Sequence, residues 1–297
     1  MIWPGNKTLV LSRYRFDCGA ENKDTLRVIH LSDLQGASFG ENNIELLKRI
    51  SDVRPHLIVF SGDLVDRRMR VDTDFEAVID FMKRLREIAP TFFLYGNHEL
   101  AFSESTVDSL RESLENSGVV VLDGKSHVEE VKFQRVVGSV LSDRGKIDDD
   151  ESRSRKVKIL LTGFPEKLLM VEGKNHTKRN SDVDLDAVRT VIEDLKQKRS
   201  ESRCDMSILL AHEPQFIEEY AAANYDFIFS GHAHGGQIRL PFLGGLFSPG
   251  QGVLPKLTSG VHCAGDGSMI ISRGLGNSSF PLRIFNRPEI VLAEIQI

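Results

Sequence analysis

The sequence predicts a layered α/β fold with a second sheet added in its later half. Three observations carry this. Residues 25 to about 118 alternate short apolar runs with stretches of helical periodicity, the pattern of parallel strands joined by crossover helices. Beyond residue 118 the apolar runs follow one another with fewer long helices between them, which predicts a second, mostly antiparallel sheet. Most of the runs that end in Ser-Asp, Gly-Asp, Gly-Asn or Gly-His put a polar residue at the carboxyl end of a buried strand, where open α/β sheets place their chemistry.

The elements follow in order. TLRVIHLSD (25–33) reads as a strand that stops at Asp33, and ENNIELLKRI then places Ile44, Leu47 and Ile50 at helical spacing. HLIVFSGD (56–63) is the next strand. Thr73 and Glu76 form a capping box for a helix carrying Phe75, Val78, Ile79, Met82 and Leu85 on one face. TFFLYGN (91–97) is a third strand, and a helix near 105–117 with Val107, Leu110 and Leu114 ends at Gly118. VVVLD, HVEEVKFQRVVGSV and VKILLTGF read as strands, while the charge-dense KIDDDESRSRK (146–156) and EGKNHTKRNSDVD (172–184) read as exposed loops. A helix over 185–198 carries Leu185, Val188, Ile192 and Leu195, and MSILLAH, YDFIFSGH, SMIISRG and IVLAEIQI return to strand. No repeat, linker or low-complexity tract divides the chain, so residues 1–297 read as one domain, with the 1–24 strand segment packing onto it.

A hydrophobic share of 40% and a charged share of 27% are those of a soluble globular protein, and a net charge of −5 argues against a nucleic-acid-coating surface. The three cysteines, Cys18, Cys204 and Cys263, lack CxxC spacing and suit neither a disulfide framework nor a zinc knuckle. No stretch reaches the apolar length of a membrane span, and MIWPGNKTLVLSRYRF lacks the basic head and apolar core of a signal peptide. The expected location is cytoplasmic, or membrane-associated or cell-surface if a native leader precedes this sequence.

The polar residues at the strand ends form a set. They are Asp33 and Gln35 in LSDLQG, Asp63 in SGDLVD, Asn97 and His98 in YGNHE, His212 in AHEP, and His232 and His234 in SGHAHGG. Taken singly, Asp33 is a helix N-cap, Asp63 and Asn97 are turn residues, and a lone histidine is a bonded core residue. Taken together they supply carboxylates, an amide and imidazoles in an order that turns alone do not explain. Such donors suit manganese, iron or zinc. Two such ions neutralise phosphoryl charge, acidify a bridging water and align it with phosphorus, which is what hydrolysis of a phosphate ester requires.

These blocks resemble the calcineurin-like metallophosphoesterase superfamily, whose pattern runs D-x-H, G-D, G-N-H-[DE], H, G-H-x-H. The resemblance covers residues 25 to 297, and GDLVDR, GNHE and GHAHGGQ are near-complete matches. The tail, QIRLPFLGGLFSPGQG followed by SRGLGNSSFPLRIFNRPEIV, is similar to the bacterial branch of small phosphodiesterases that includes relatives of UDP-diacylglucosamine pyrophosphatase. The resemblance implies a four-layer αββα sandwich, two facing mixed sheets flanked by helices. It implies a binuclear centre with a metal-bridged hydroxide as nucleophile. Asp63 would bridge both metals, Asp33, Gln35 and His234 would complete the first, and Asn97, His212 and His232 the second. His98 would sit beside the phosphate as general acid or charge stabiliser, Asp66 would orient it, and Arg67 would contact phosphate oxygens.

Gln35 stands where the family usually has His. Its amide oxygen is a neutral and weaker donor, so the first metal is expected to bind more weakly or to be a harder ion such as manganese. The expected substrate is a small phosphate ester or a lipid-linked phosphodiester, and nucleic acid is not expected. The apolar segment 239–256 is read either as a loop folded onto the core, or as a wall of the substrate recess and a peripheral membrane contact. No obligate protein partner is evident. The competing readings are a weakened metal-binding scaffold on the same fold, for which Gln35 alone speaks, and a nuclease, against which the acidic balance speaks.

Overall fold

The computed structural model describes residues 8–19, 24–134, 154–170, 182–240, 242–277 and 282–297. Its first sheet is built from β1 (Val10–Asp17), β2 (Thr25–Leu31), β3 (Leu57–Ser61), β4 (Thr91–Leu94), β5 (Val120–Val121) and the last strand of the chain (Glu289–Gln296). Strands β2 to β5 run parallel in chain order. The last strand pairs antiparallel with β2 and parallel with β1, which therefore forms the edge.

The crossovers are α1 (Ile44–Asp52), α2 (Val71–Ile88) and α3 (Glu104–Asn116). Helix α3 closes on a Schellman motif, in which Gly118 at φ 84° lets the Val119 N–H reach the Leu114 carbonyl and its own N–H reach that of Glu115. The start of α2 departs from expectation. Arg70 is its capping residue and donates its backbone N–H to the Asp74 carboxylate at 2.8 Å. Thr73 thus lies inside the helix and its backbone is not the cap; its side chain lies outside the described residues.

The second sheet contains β6 (Ser126–Gln134), β7 (Ser154–Gly163), β8 (Met206–Leu210), β9 (Phe227–Ser230) and a hairpin near the end of the chain (Gly260–Ala264 and Gly267–Ile271). It is not mostly antiparallel. β7, β8, β9 and the second hairpin strand are mutually parallel, and only the two outer pairings are antiparallel. The parallel core follows from crossovers through α4 (Leu185–Glu201) and α5 (Ile217–Ala221), and α5 is too short to show helical periodicity in the sequence. Residues 154–156 of the charge-dense segment 146–156 belong to β7 rather than to a loop; the rest of that segment, and most of 172–184, lie outside the described residues.

Three apolar clusters define the layers. One joins Leu26, Val28, Val59 and Phe92 of the first sheet to Ile159, Ile208, Phe229 and Ile270 of the second, so the sheets face each other. The outer face of the first sheet is covered by Leu46, Ile50, Phe81, Leu85 and Leu110 from α1, α2 and α3. The outer face of the second is covered by Val188, Ile192, Leu195 and Tyr220 from α4 and α5. Four layers, αββα, result. Because β2, β3 and β4, like β8 and β9, are parallel within their sheets, their carboxyl ends gather at one edge of the sandwich.

Candidate metal centre

The loops leaving β2, β3, β4, β8 and β9 carry Asp33 and Gln35, Asp63, Asn97 and His98, His212, and His232 and His234. Asp33, Gln35, Asp63, His232 and His234 all sit in the left-handed region, with φ between 45° and 62°. That conformation costs a non-glycine residue about 1–3 kcal/mol and is kept where surrounding structure over-determines it. Here it turns each side chain back over the end of its own strand. Asp33 caps no helix, since the helices that follow begin on Gly40, Asn43 and Arg70, so the N-cap reading does not describe it.

The loops are bonded across the sandwich. The Asp33 and Gln35 N–H groups donate to the Gly62 and Asp63 carbonyls at 2.9 and 3.1 Å. The His232 N–H donates to Asp33 Oδ1 at 3.0 Å, which ties the second sheet to the first. The approach is close: a Cβ on Gly96 would collide with the Asp63 carboxylate and the His212 ring, and one on Gly274 would lie 2.8 Å from Asp33 Cβ.

Two groups of buried ligand-type atoms result, Asp63 with His212 and His232, and Asp33 with Asp63 and His234, each with its atoms within 4.8 Å of one another. Asp63 belongs to both. Asn97 Oδ1 joins the first group, 3.2 Å from His212 Nε2 and 2.9 Å from His232 Nδ1. The Gln35 amide joins the second, with Nε2 at 3.0 Å from Asp63 Oδ2 and 3.3 Å from His234 Nε2. Its buried Oε1 has no hydrogen-bond partner among the described residues, and neither do Asp33 Oδ2 and His232 Nε2. The two amide atoms exchange by a half-turn of the side chain, which would bring the oxygen to face Asp63 and His234. Orphaned acceptors in a buried cluster of carboxylates and imidazoles fit divalent cations.

The electrostatics agree. His212 Nδ1 lies 2.7 Å from the Ser61 carbonyl and so donates its proton there; burial lowers this imidazole, but Asp63 and Asp33 outweigh it and hold it well above its ordinary value, so Nε2 also carries a proton toward Asp63 that a bound cation would displace. Burial holds His232 down to about 3, with the His212 imidazole adding, and burial with Arg283 holds His234 well below its usual value. Both are therefore neutral bases, the form a cation binds. Burial raises Asp63, but His212 and His98 outweigh it and hold the carboxyl well below its ordinary range. Burial pushes Asp33 up to about 6 against the pull of His212.

His98 stands beside both groups without belonging to either. Its Nδ1 accepts the Arg67 backbone N–H at 3.3 Å, so the proton of the neutral ring lies on Nε2, which faces Gln35 and Asp63 at 3.5 and 3.9 Å. Asp66 Oδ1 is 3.9 Å from His98 Nδ1, beyond hydrogen-bond reach, and its carboxylate is instead engaged by Arg68. Asp66 is thus a charge neighbour of the His98 ring, the hydrogen bond to Nδ1 comes from the Arg67 main chain, and Arg67 itself is exposed.

A family model described as calcineurin-like phosphoesterase matches residues 26–236. The chain belongs to the calcineurin-like phosphoesterase family. As a member it is a metal-dependent phosphoesterase, a phosphoric ester hydrolase that uses divalent ions. It is 25% identical over 280 residues to an uncharacterised metallophosphoesterase of Bacillus subtilis, YkoQ, with 93% of this chain and 86% of that protein covered. Over 292 residues it is 25% identical to phosphodiesterase YaeI of Escherichia coli, covering 96% and 87% of the two chains. Among solved structures, TT1561 of Thermus thermophilus aligns with a TM-score of 0.48 at 11% identity, over 85% of this chain and 91% of that one.

Three residues that support this candidate site were not singled out from the sequence. Glu99 is buried and accepts the N–H groups of Asp63, Val65 and Gly96 at 2.9, 2.8 and 2.7 Å, which locks the β3 and β4 loops together. Its signal was present as the last letter of GNHE. Glu166 accepts the His212 N–H, and buried Arg283 lies 3.4 Å from His234 Nδ1 while donating to the Gly276 and Arg273 carbonyls. Neither has a local pattern, since both meet the site only through tertiary packing. Among the described residues no helix is long and apolar enough to cross a membrane.

The position of Gln35 makes a prediction. Gln35→His is expected to retain activity and to shift metal preference from harder to more imidazole-favoured ions, measured by titrating the apo-protein with manganese and zinc. Identical affinities and preference in both forms would remove Gln35 from the ligand set.

Proposed function

We propose that the protein is a phosphodiesterase or pyrophosphatase that works with two divalent ions, manganese, iron or zinc, on a small phosphate ester or a lipid-linked phosphodiester. The observation that carries this reading is the membership of the Asp63 carboxylate in both ligand groups. Asp33, Gln35 and His234 would hold one ion and Asn97, His212 and His232 the other. Ions so held supply charge neutralisation at the phosphoryl oxygens and acidify water.

The chain's own residues would do the rest. His98, with its proton on the nitrogen that faces the centre, would protonate the departing oxygen. The carbonyl of Ser61 and the N–H groups gathered by Glu99 keep the ligand loops in register before substrate arrives. A cavity of about 580 Å³ borders the centre, lined by Gln35, Gly36, Asn43, Asp66, Arg68 and Met69 among others, and would receive the rest of the ester. The Escherichia coli relative YaeI is likewise named a phosphodiesterase.

Metal analysis of the purified protein, beside hydrolysis of bis-p-nitrophenyl phosphate with added manganese, tests the proposal. Two equivalents of bound ion and manganese-dependent turnover are expected. Turnover of p-nitrophenyl phosphate alone, with no diester cleaved, would replace the diesterase reading by a phosphomonoesterase.

A further inference from the structure

We propose that the segment following His234 docks the protein on the surface of an anionic lipid bilayer. The docking rests on this surface alone and does not depend on the diesterase reading.

The chain leaves His234 into two short hairpins, β10 (Arg239–Leu240) with β11 (Gly244–Gly245), and β12 (Phe247–Ser248) with β13 (Gly252–Val253). They are tied to the metal-centre loop and to each other. The Leu246 N–H donates to the Gly236 and Ile238 carbonyls, and the Leu254 N–H donates to the Leu246 carbonyl at 2.9 Å. Gly236 and Gly245 meet backbone to backbone, with no room for a side chain on either. The base of the device is therefore rigid and continuous with the loop that carries His232 and His234.

The first hairpin's turn and the outward side of the second are the reverse of a buried loop. Phe242 at 108%, Val253 at 72% and Leu243 at 65% relative exposure stand in solvent, with Leu254 and Phe247 about half exposed. Phe285, at 76%, is exposed on the segment that runs beside the first hairpin, where the Arg239 N–H donates to the Ile284 carbonyl at 3.0 Å. Phe242, Leu254 and Phe285 also hold positive φ, of 68°, 52° and 52°, where glycine or asparagine would be the low-energy choice. These bulky apolar residues are thus unfavourable both in backbone conformation and in exposure, and burial within the described fold offsets neither.

Charge and shape identify the occupant. Between Asp226 and Glu289 the only acidic residue is Asp266, whereas Arg239, Lys256, Arg273, Arg283 and Arg287 are basic, in a chain whose net charge is −5. Arg239, Arg273 and Arg283 are engaged within the fold, whereas Lys256 and Arg287 are exposed, each two residues along the chain from an exposed apolar residue, Leu254 and Phe285. Exposed apolar side chains with exposed cations close by in the chain, in a stretch almost free of acidic residues, match the interface of an anionic bilayer, where side chains enter the acyl boundary and cations meet headgroup phosphates. The placement would hold the phosphoesterase centre close to headgroup phosphodiesters.

The test is co-sedimentation of the metal-loaded protein with vesicles of phosphatidylcholine containing phosphatidylglycerol, and with phosphatidylcholine alone. The protein should pellet with the anionic vesicles and bind the neutral ones at least about tenfold more weakly. The combined variant Phe242→Ser, Leu243→Ser, Val253→Ser, Leu254→Ser should lose vesicle binding while hydrolysing bis-p-nitrophenyl phosphate at the wild-type rate, a readout that also reports its folding. Lys256→Glu with Arg287→Glu should lose only the preference for anionic vesicles. If phosphodiester hydrolysis occurs at the bilayer, Phe242→Ser with Phe247→Ser should reduce turnover of a lipid-linked ester more than that of the soluble one. Failure of the wild-type protein to bind either vesicle overturns the proposal. So does concentration-dependent dimerisation that the serine substitutions abolish, since the surface would then join two copies of the chain.

Discussion

Asp63→Asn is expected to strip the centre of metal and to lower kcat/KM by at least about a thousandfold. The substitution keeps the shape, and the amide oxygen can still accept the His98 backbone N–H that Asp63 Oδ1 accepts at 2.9 Å, so the loop is not expected to move. What it removes is the one negative charge shared by both ligand groups. Coulomb attraction between that carboxylate and two dications in a buried site is worth several kcal/mol even after screening, and about 1.4 kcal/mol corresponds to each factor of ten. The measurement is bound-metal stoichiometry together with turnover. Wild-type metal content and normal turnover would show that Asp63 is not at the heart of the centre.

His98→Ala is the second large effect, and it separates chemistry from metal loading. Turnover should fall by about 10²–10⁴-fold, the range for loss of a positioned proton donor, while metal content stays at the wild-type level. The loop should survive, since the bond from residue 98 to Asp63 is made by the backbone and Glu99 continues to hold Gly96 and Asp63. The loss should also depend on the leaving group. It should be largest for an alkoxide, which needs a proton, and smallest for p-nitrophenolate, which departs without one. Equal losses on both esters would assign His98 to charge stabilisation rather than proton transfer. Loss of metal would make it a ligand.

Much of this architecture is readable in the chain. Apolar runs such as LIVF and TFFL are buried on both faces, so they carry no alternation and mark central parallel strands directly. The helix covering 104–116 shows its end because Gly118 must adopt a conformation that glycine tolerates best. The error in the second sheet has an equally local cause. The crossover between β8 and β9 contains a helix of five residues, below the length at which periodicity can be recognised. The start of α2 is misread because a capping-box spelling at Thr73 and Glu76 also fits residues inside a helix, and only the Arg70–Asp74 bond decides between them.

The chain alone determined which kinds of donor this protein has and at which strand ends they stand, because strand, turn and residue type are local properties. Tertiary structure decided the rest. It brought Asp33 within hydrogen-bond reach of His232, gave Asp66 its hydrogen bonds from Arg68 rather than from His98, set a buried arginine against His234, and left apolar side chains after His234 in solvent rather than on the core. These are contacts between segments up to about two hundred residues apart, and they exist only once two sheets have stacked face to face and brought their strand ends to one edge.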